Sequence, residues 1–216
     1  IEQSIMIRSD NIENPVLVYF HGGPGTSELP LLRHNNSNLE KSFTLIYLEQ
    51  RGAGKTFNYF DNKNLNIDQF VDDGYQLTLY CLKRFRKEKV ILVGHSWGTI
   101  ISTKLALKYP DFYYAYIGIG QEVCPSRGEK LGYDFILREA EKENNVKALA
   151  EIKKINTPGY LTIINNPNWF EQLKIQRKWL TYYGGDIRGE KNYSNVIKIY
   201  TKSKEYSLLD LLKFGL

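Results

Sequence analysis

Gly94-His95-Ser96-Trp97-Gly98 places a hydroxyl between two glycines at the G-x-S-x-G spacing. An apolar run, Val90 to Val93, precedes it, and Ile100, Ile101, Leu105 and Ala106 follow at helical intervals. A strand that turns sharply into a helix at a serine is a nucleophile elbow. The hydroxyl is held out on a strained turn, and the glycines let neighbouring segments come close. The chemistry this serves is acyl transfer. Ser96 is therefore the candidate nucleophile, and the helix that starts beneath it favours developing negative charge. The backbone N–H of Trp97 becomes one donor to a tetrahedral oxyanion. A second donor is expected from His21-Gly22-Gly23-Pro24-Gly25, at the end of the apolar run Val16 to Phe20. There Gly22 and Gly23, without side chains, expose amide hydrogens to the oxyanion hole, and one such donor is worth about 3 kcal/mol of barrier. G-x-S-x-G alone arises often by chance. Two such motifs, on strands in the expected order, make a specific signal.

A serine hydroxyl needs a base. The chain has three histidines, His21, His34 and His95. In this arrangement the triad runs Ser, then Asp or Glu, then His, and no histidine follows Ser96. His95 is expected to point away into the packing under the elbow. His21 is expected to brace the glycine loop through hydrogen bonds, and His34 to sit solvated on a polar helix or turn. The acid should follow a further buried strand. Tyr160 to Ile164 is short and apolar but leads into Asn165-Asn166-Pro167 with no carboxylate at its tip, so it reads as part of an insertion. The triad acid and histidine are therefore expected to be absent, and the chain to be a piece of a longer hydrolase that stops before its last strands. A pseudo-enzyme that keeps the elbow as structure is the alternative. A sheet cut in this way would expose an edge and favour self-association.

The elements that must hold these residues read as alternating strands and helices. Val16 to Phe20, Phe43 to Leu48, Val90 to Val93 and Tyr114 to Ile119 are continuous apolar runs, as expected of parallel strands covered on both faces. Ile1 to Arg8 alternates and reads as an edge strand. Asn66 can cap a helix with Gln69 in a capping-box position, followed by Ile67, Phe70, Val71, Leu77, Cys81, Leu82 and Phe85 at helical intervals. From about Ser126 the chain reads as helices: Gly128 to Lys154 as one or two, Asn168 to Tyr183 with Trp169, Phe170, Leu173 and Leu180 on one stripe, and Tyr206 to Phe214. The fold class is thus α/β, a mostly parallel sheet with flanking helices (residues 1–125) and a helical cap (residues 126–216), with C-terminal strands missing. Trp169, Trp179, Tyr182 and Tyr183 are expected partly in packing and partly over the serine.

Composition sets outer bounds. The chain has 216 residues, 42% hydrophobic and 25% charged, a soluble globular balance expected of a cytoplasmic protein. The formal charge of +5 is spread among interleaved acids, so no nucleic-acid partner is expected. No apolar run reaches membrane-spanning length, and whether the protein meets a membrane stays open. Cys81 and Cys124 lack metal-ligand spacing, and with so few scattered histidines no metal or cofactor is expected. Arg51-Gly52-Ala53-Gly54-Lys55-Thr56 invites a phosphate-loop reading. Glu49, however, stands where that motif needs its first glycine, and a carboxylate there repels phosphate.

Taken together, HGGPG at 21–25, QRGAGKT at 50–56 and GHSWGT at 94–99 resemble the α/β-hydrolase superfamily, specifically its proline iminopeptidase (prolyl aminopeptidase) branch. The resemblance covers roughly the first 120 residues. It implies Ser96 as nucleophile with the Gly23 and Trp97 amides as oxyanion hole. It also implies a small peptide substrate that loses its N-terminal residue, often proline; related branches hydrolyse esters or amides. Two departures bear on substrate. Glu49 stands where the family usually has Asp, and the segment after the fourth strand reads GIGQEV. Glu122 in that segment is either a binder of a substrate amine or a solvated loop carboxylate. A non-catalytic binding module on the same fold is the alternative function.

Overall fold

A computed structural model describes residues 1–57, 65–155 and 168–213. Contacts divide the chain into two compact units, Ile1–Glu122 joined by the segment from Ile197 on, and Val123–Val196.

The first unit holds a five-stranded sheet of order β1-β3-β2-β4-β5. The strands are β1 (Ile5–Arg8), β2 (Val16–Phe20), β3 (Thr44–Leu48), β4 (Val90–His95) and β5 (Tyr113–Ile119). β2 pairs in parallel with β3 and β4, and β4 with β5, while β1 is antiparallel to β3. All residues of β2 and β3 are buried, as the apolar runs Val16–Phe20 and Leu45–Leu48 require. Helix α1 (Leu29–Asn36) follows β2. Helix α2 (Ile67–Phe85) opens with the Asn66–Gln69 capping box. Helix α3 (Trp97–Lys108) follows β4. The α2 face of Phe70, Val71, Leu77, Cys81 and Phe85 joins Val18, Phe20, Leu92, Ile101 and Leu105 in one core. Three parallel strands ending at the same rim bring the loops after β2, β3 and β4 together, the usual ligand edge of such sheets. The outer side of β5 has no strand partner among the described residues, and Tyr114, Ile117 and Ile119 are exposed there.

The second unit is helical: α4 (Pro125–Lys142), α5 (Val146–Ile152) and α6 (Trp169–Tyr182). Ile136, Ala140, Ala148, Ile152, Ile155 and Trp179 form its core. The expected stripe on α6 is corrected: Trp169 and Phe170 are exposed, and the buried positions are Gln172, Gln176, Trp179 and Thr181. Gln176 is buried there in place of an aliphatic side chain because Glu129 offers it partners. Gln176 Nε2 donates to the Glu129 carbonyl at 2.8 Å and to its Oε2 at 2.9 Å. A helix the sequence does not suggest, α7 (Ser194–Lys202), precedes α8 (Leu208–Lys213). The segment from Ile197 on, assigned from sequence to the cap, clusters with the sheet. Tyr160 to Ile164 and Phe214 lie outside the described residues. Among the described residues no helix is long and apolar enough to cross a membrane, and no group of His, Cys, Asp and Glu could hold a metal ion.

Candidate active site

Ser96 sits at the tip between β4 and α3 with φ 49° and ψ −120°. A non-glycine residue there carries strain of about 1–3 kcal/mol, of the kind that clusters at functional sites. The surroundings enforce the turn. Ser96 N–H donates to the Ile119 carbonyl of β5 at 2.9 Å, and the Ser96 carbonyl accepts Thr99 N–H at 2.9 Å and the Thr99 hydroxyl at 2.6 Å. The flanking glycines are required by closeness. A Cβ on Gly98 would lie 2.0 Å from the Phe20 carbonyl oxygen, and one on Gly94 would lie 2.7 Å from that of Gly98. Ser96 itself is half-buried.

The glycine loop reaches this turn. A Cβ on Gly22 would lie 3.2 Å from Ser96 Cβ, so the 22–23 backbone runs beside the serine. Gly23 has φ 116°, a region open to glycine. Trp97 is the first residue of α3, where helix amides lack intrahelical partners. Gly22, Gly23, Ser96 and Trp97 are thus all gathered at one rim of the sheet.

A buried glutamine missed by sequence reasoning ties the loops together. Gln50, 1% exposed, receives a hydrogen bond from the Trp97 indole at 3.1 Å and donates through Nε2 to the His21 carbonyl at 2.8 Å. Its own amide donates to His21 Nε2 at 3.1 Å, and His21 Nδ1 lies 2.7 Å from the Gly22 carbonyl. An acceptor at Nε2 and a donor at Nδ1 specify one neutral tautomer. Full burial pushes the His21 pKa down, in agreement. His21 braces the loop, as expected, and has no lone pair left to serve as base.

His95 departs from expectation. It is turned not under the elbow but onto Glu28, with Nδ1 2.6 Å from Oε1, and its side chain is 38% exposed. The reason is that Glu28, 67 residues away in sequence, comes beside it from the far end of the glycine loop. Glu28 also accepts the Tyr19 hydroxyl at 3.0 Å. Burial alone would raise the Glu28 pKa. The hydrogen bond and charge of His95, with the Gly22 amide, outweigh it and hold the carboxyl below its ordinary range. Nothing in the spacing marks Glu28, since its partners Tyr19 and His95 lie on two separate strands. His34 is exposed on α1.

Glu49 is 2% exposed behind the third loop, where Oε2 accepts Lys55 N–H at 2.8 Å and Oε1 accepts the Tyr206 hydroxyl. That hydroxyl lies 2.7 Å from Ser27 Oγ, and the Tyr200 hydroxyl donates to the Ser27 carbonyl at 2.5 Å. The carboxylate therefore fills the place a phosphate would need at this loop. Glu122 is half-buried, its amide donating to the Thr99 hydroxyl at 3.0 Å.

A model of the alpha/beta hydrolase fold matches residues 15–154. A protein of Bacillus subtilis named a probable aminopeptidase, YbaC, is 33% identical over 175 residues, 80% of this chain and 52% of that protein. A proline iminopeptidase of Heyndrickxia coagulans is 33% identical over 97 residues, 45% of this chain and 31% of that enzyme. The chain thus spans about half, or less, of the length of these relatives. Among solved structures, one from a study of carboxylesterases of Nitrososphaera gargenis is 27% identical with a TM-score of 0.49, covering 69% of this chain and 52% of that one.

Proposed function

The chain belongs to the α/β-hydrolase fold family, and from that premise we propose that it carries the nucleophile half of a serine hydrolase. Ser96 is the nucleophile, and the amides of Gly23 and Trp97 are the oxyanion donors. The substrate is a short peptide that loses its N-terminal residue, proline among the candidates, or else a small ester or amide. The observation that carries the reading is the approach of the 22–23 backbone to Ser96, with a Gly22 Cβ position only 3.2 Å from Ser96 Cβ. The names of the relatives support the aminopeptidase form.

In this reading Ser96 Oγ attacks the substrate carbonyl and its proton passes to a base. The carbonyl oxygen becomes an oxyanion held by the two amides. The C–N or C–O bond then breaks, the leaving group takes the proton, and water releases the acyl group from Ser96. Electrostatic preorganisation at the oxyanion is the part this chain supplies. The base is the part it does not: His21 has both nitrogens engaged, His34 is exposed on α1, and His95 is turned to Glu28. A carboxylate and histidine from outside these 216 residues complete the proposal.

The absence of a base also favours a second reading, a pseudo-hydrolase that binds without turnover. A fluorophosphonate probe separates the two. It is applied to the protein translated from the complete reading frame that contains these residues, with Ser96→Ala as control. Labelling that disappears in the variant is expected, and labelling equal in both, or none in either, favours the binding module. The 216-residue chain alone should turn over an aminoacyl-naphthylamide negligibly.

A further inference from the structure

We infer that Tyr206, on the segment by which the chain returns to the sheet after the helical unit, is a positioning residue: it ties the far end of the glycine loop to Glu49 and so holds the Gly23 amide in place. The catalytic consequence rests on the proposed hydrolase reading; the tie itself does not.

The glycine loop is an exposed tip strung between two buried ends. His21 at its start and Ser27 at its end are buried, while Gly23, Pro24, Gly25 and Thr26 between them are exposed. A tip with so little packing of its own takes its order from its ends. The near end is held by Gln50, whose backbone amide donates to His21 Nε2 and whose side chain donates to the His21 carbonyl. The far end is held through Tyr206. A carboxylate only accepts, so Tyr206 gives its single hydroxyl proton to Glu49 Oε1, and its oxygen then accepts the Ser27 hydroxyl across 2.7 Å. Tyr200 adds a second bond, its hydroxyl donating to the Ser27 carbonyl at 2.5 Å. Glu49 is itself fixed, for Oε2 accepts Lys55 N–H at 2.8 Å and its carbonyl accepts the Thr56 hydroxyl at 2.8 Å. Two successive residues after β3 thus govern the two ends of the loop, Gln50 directly and Glu49 through a tyrosine 157 positions away.

The tie is built to stay made. Ser27, Glu49, Tyr200 and Tyr206 are all buried, and a buried polar group left without its partner is costly. Burial, and after it the charge of Glu49, push the Tyr206 pKa far up, so the proton on which the tie depends does not leave at any ordinary pH. The segment does not dock by that hydroxyl alone, since Glu205 beside it pairs with Arg33 of α1 at 3.2 Å. Loss of the Tyr206 hydroxyl therefore frees the far end of the loop without freeing the segment. Gly23 lies four residues before Ser27, inside the span that the two ends define. The oxyanion donor is in this way ordered by a residue that touches neither the serine nor the substrate.

The test uses Tyr206→Phe, which keeps the ring and removes the hydroxyl, in the protein from the complete reading frame. Two readouts are needed: the kinetics of Ser96 labelling by a fluorophosphonate, and NMR order parameters of the Gly23, Gly25 and Thr26 amides. In Tyr206→Phe the limiting labelling rate should fall at least about tenfold, as a small misplacement of catalytic groups can do. The half-saturating probe concentration should stay within about twofold, because the amide acts on the transition state and not on probe binding. Loss of folded protein would lower the amount labelled and leave that rate unchanged. The tip amides should drop from about 0.85 in the parent to below about 0.6. Ser27→Ala breaks the same bond from the loop side, so the double variant should lose no more than the worse single one. A limiting rate or tip order unchanged in Tyr206→Phe, or additive losses in the double variant, overturns the inference. If the parent itself is not labelled, the hydrolase reading fails and the tip amides alone decide the tie. If Tyr206→Phe does not fold, Ser27→Ala takes its place with the same expectations.

Discussion

Gln50 has no acid–base chemistry to offer an acyl transfer, yet it touches two of the loops that make the site while standing on the third. His21 completes that connection as a neutral strut buried to 2% exposure. Its protonation would break the bond from the Gln50 amide and place an unsolvated charge in the core. The sign follows from the lowered pKa of the folded state. The folded state resists the proton and the unfolded chain accepts it, so stability is full above the ordinary histidine range and falls as pH drops through about 6.5. The urea midpoint should therefore decrease between about pH 7 and pH 5, and His21→Gln should flatten that slope. An unchanged slope in the variant would refute the strut. The gathering of Ser96, Trp97 and Gly23 at one rim, and the bracing by His21, were legible in the sequence because local motifs encode such placement in spacing. Glu28, Gln50 and Tyr206 were not, because their roles consist of partners 29 to 157 residues distant, and no periodicity records such a partner.

At the scale of elements, what could be read was what burial writes into the chain. β2, and β3 after its first residue Thr44, are unbroken apolar runs because both faces are covered. The Asn66–Gln69 box marks the start of α2 because two orphan amides need those side chains. The misreading of α6 has the converse cause. Its buried face is held partly by a polar knot, Glu129 with Gln176 and Arg177, in which Glu129 is 6% exposed. Polar residues paired across 47 positions look solvent-facing in sequence. Glu129→Ala removes the carboxylate that accepts from Gln176 and Arg177, while Gln176 keeps its bond to the residue 129 carbonyl. The loss should destabilise the helical unit by about 2 kcal/mol, less than breaking a fully buried pair costs. The discount reflects Arg177, whose side chain is 33% exposed. A thermal melt of the variant that overlays the parent's would show the knot to be incidental.

For the whole molecule, the decisive fact is that among the described residues the sheet has five strands and its outer strand, β5, has no partner on its far side and exposes Ile117, Ile119 and Tyr114. Unpaired strand edges with apolar faces template pairing. The chain of 216 residues should therefore self-associate with rising concentration in sedimentation experiments, and Ile117→Lys should shift it toward monomer. A parent that stays monomeric at high concentration would remove this expectation. The α/β class and the strand order leading to the elbow followed from alternation of apolar runs and helical stripes. The return of Tyr200 and Tyr206 to the sheet did not, since α7 and α8 are short pieces whose docking depends on Ser27 and Glu49.

In the proposed mechanism the Gly23 and Trp97 amides converge over Ser96 to hold an oxyanion. A crystal structure of the phosphonate adduct of the protein from the complete reading frame tests it most directly. Phosphorus is expected bonded to Ser96 Oγ, with the phosphoryl oxygen within about 3 Å of both amide nitrogens. An adduct on another residue, or a phosphoryl oxygen turned to solvent away from Gly23 and Trp97, would contradict it.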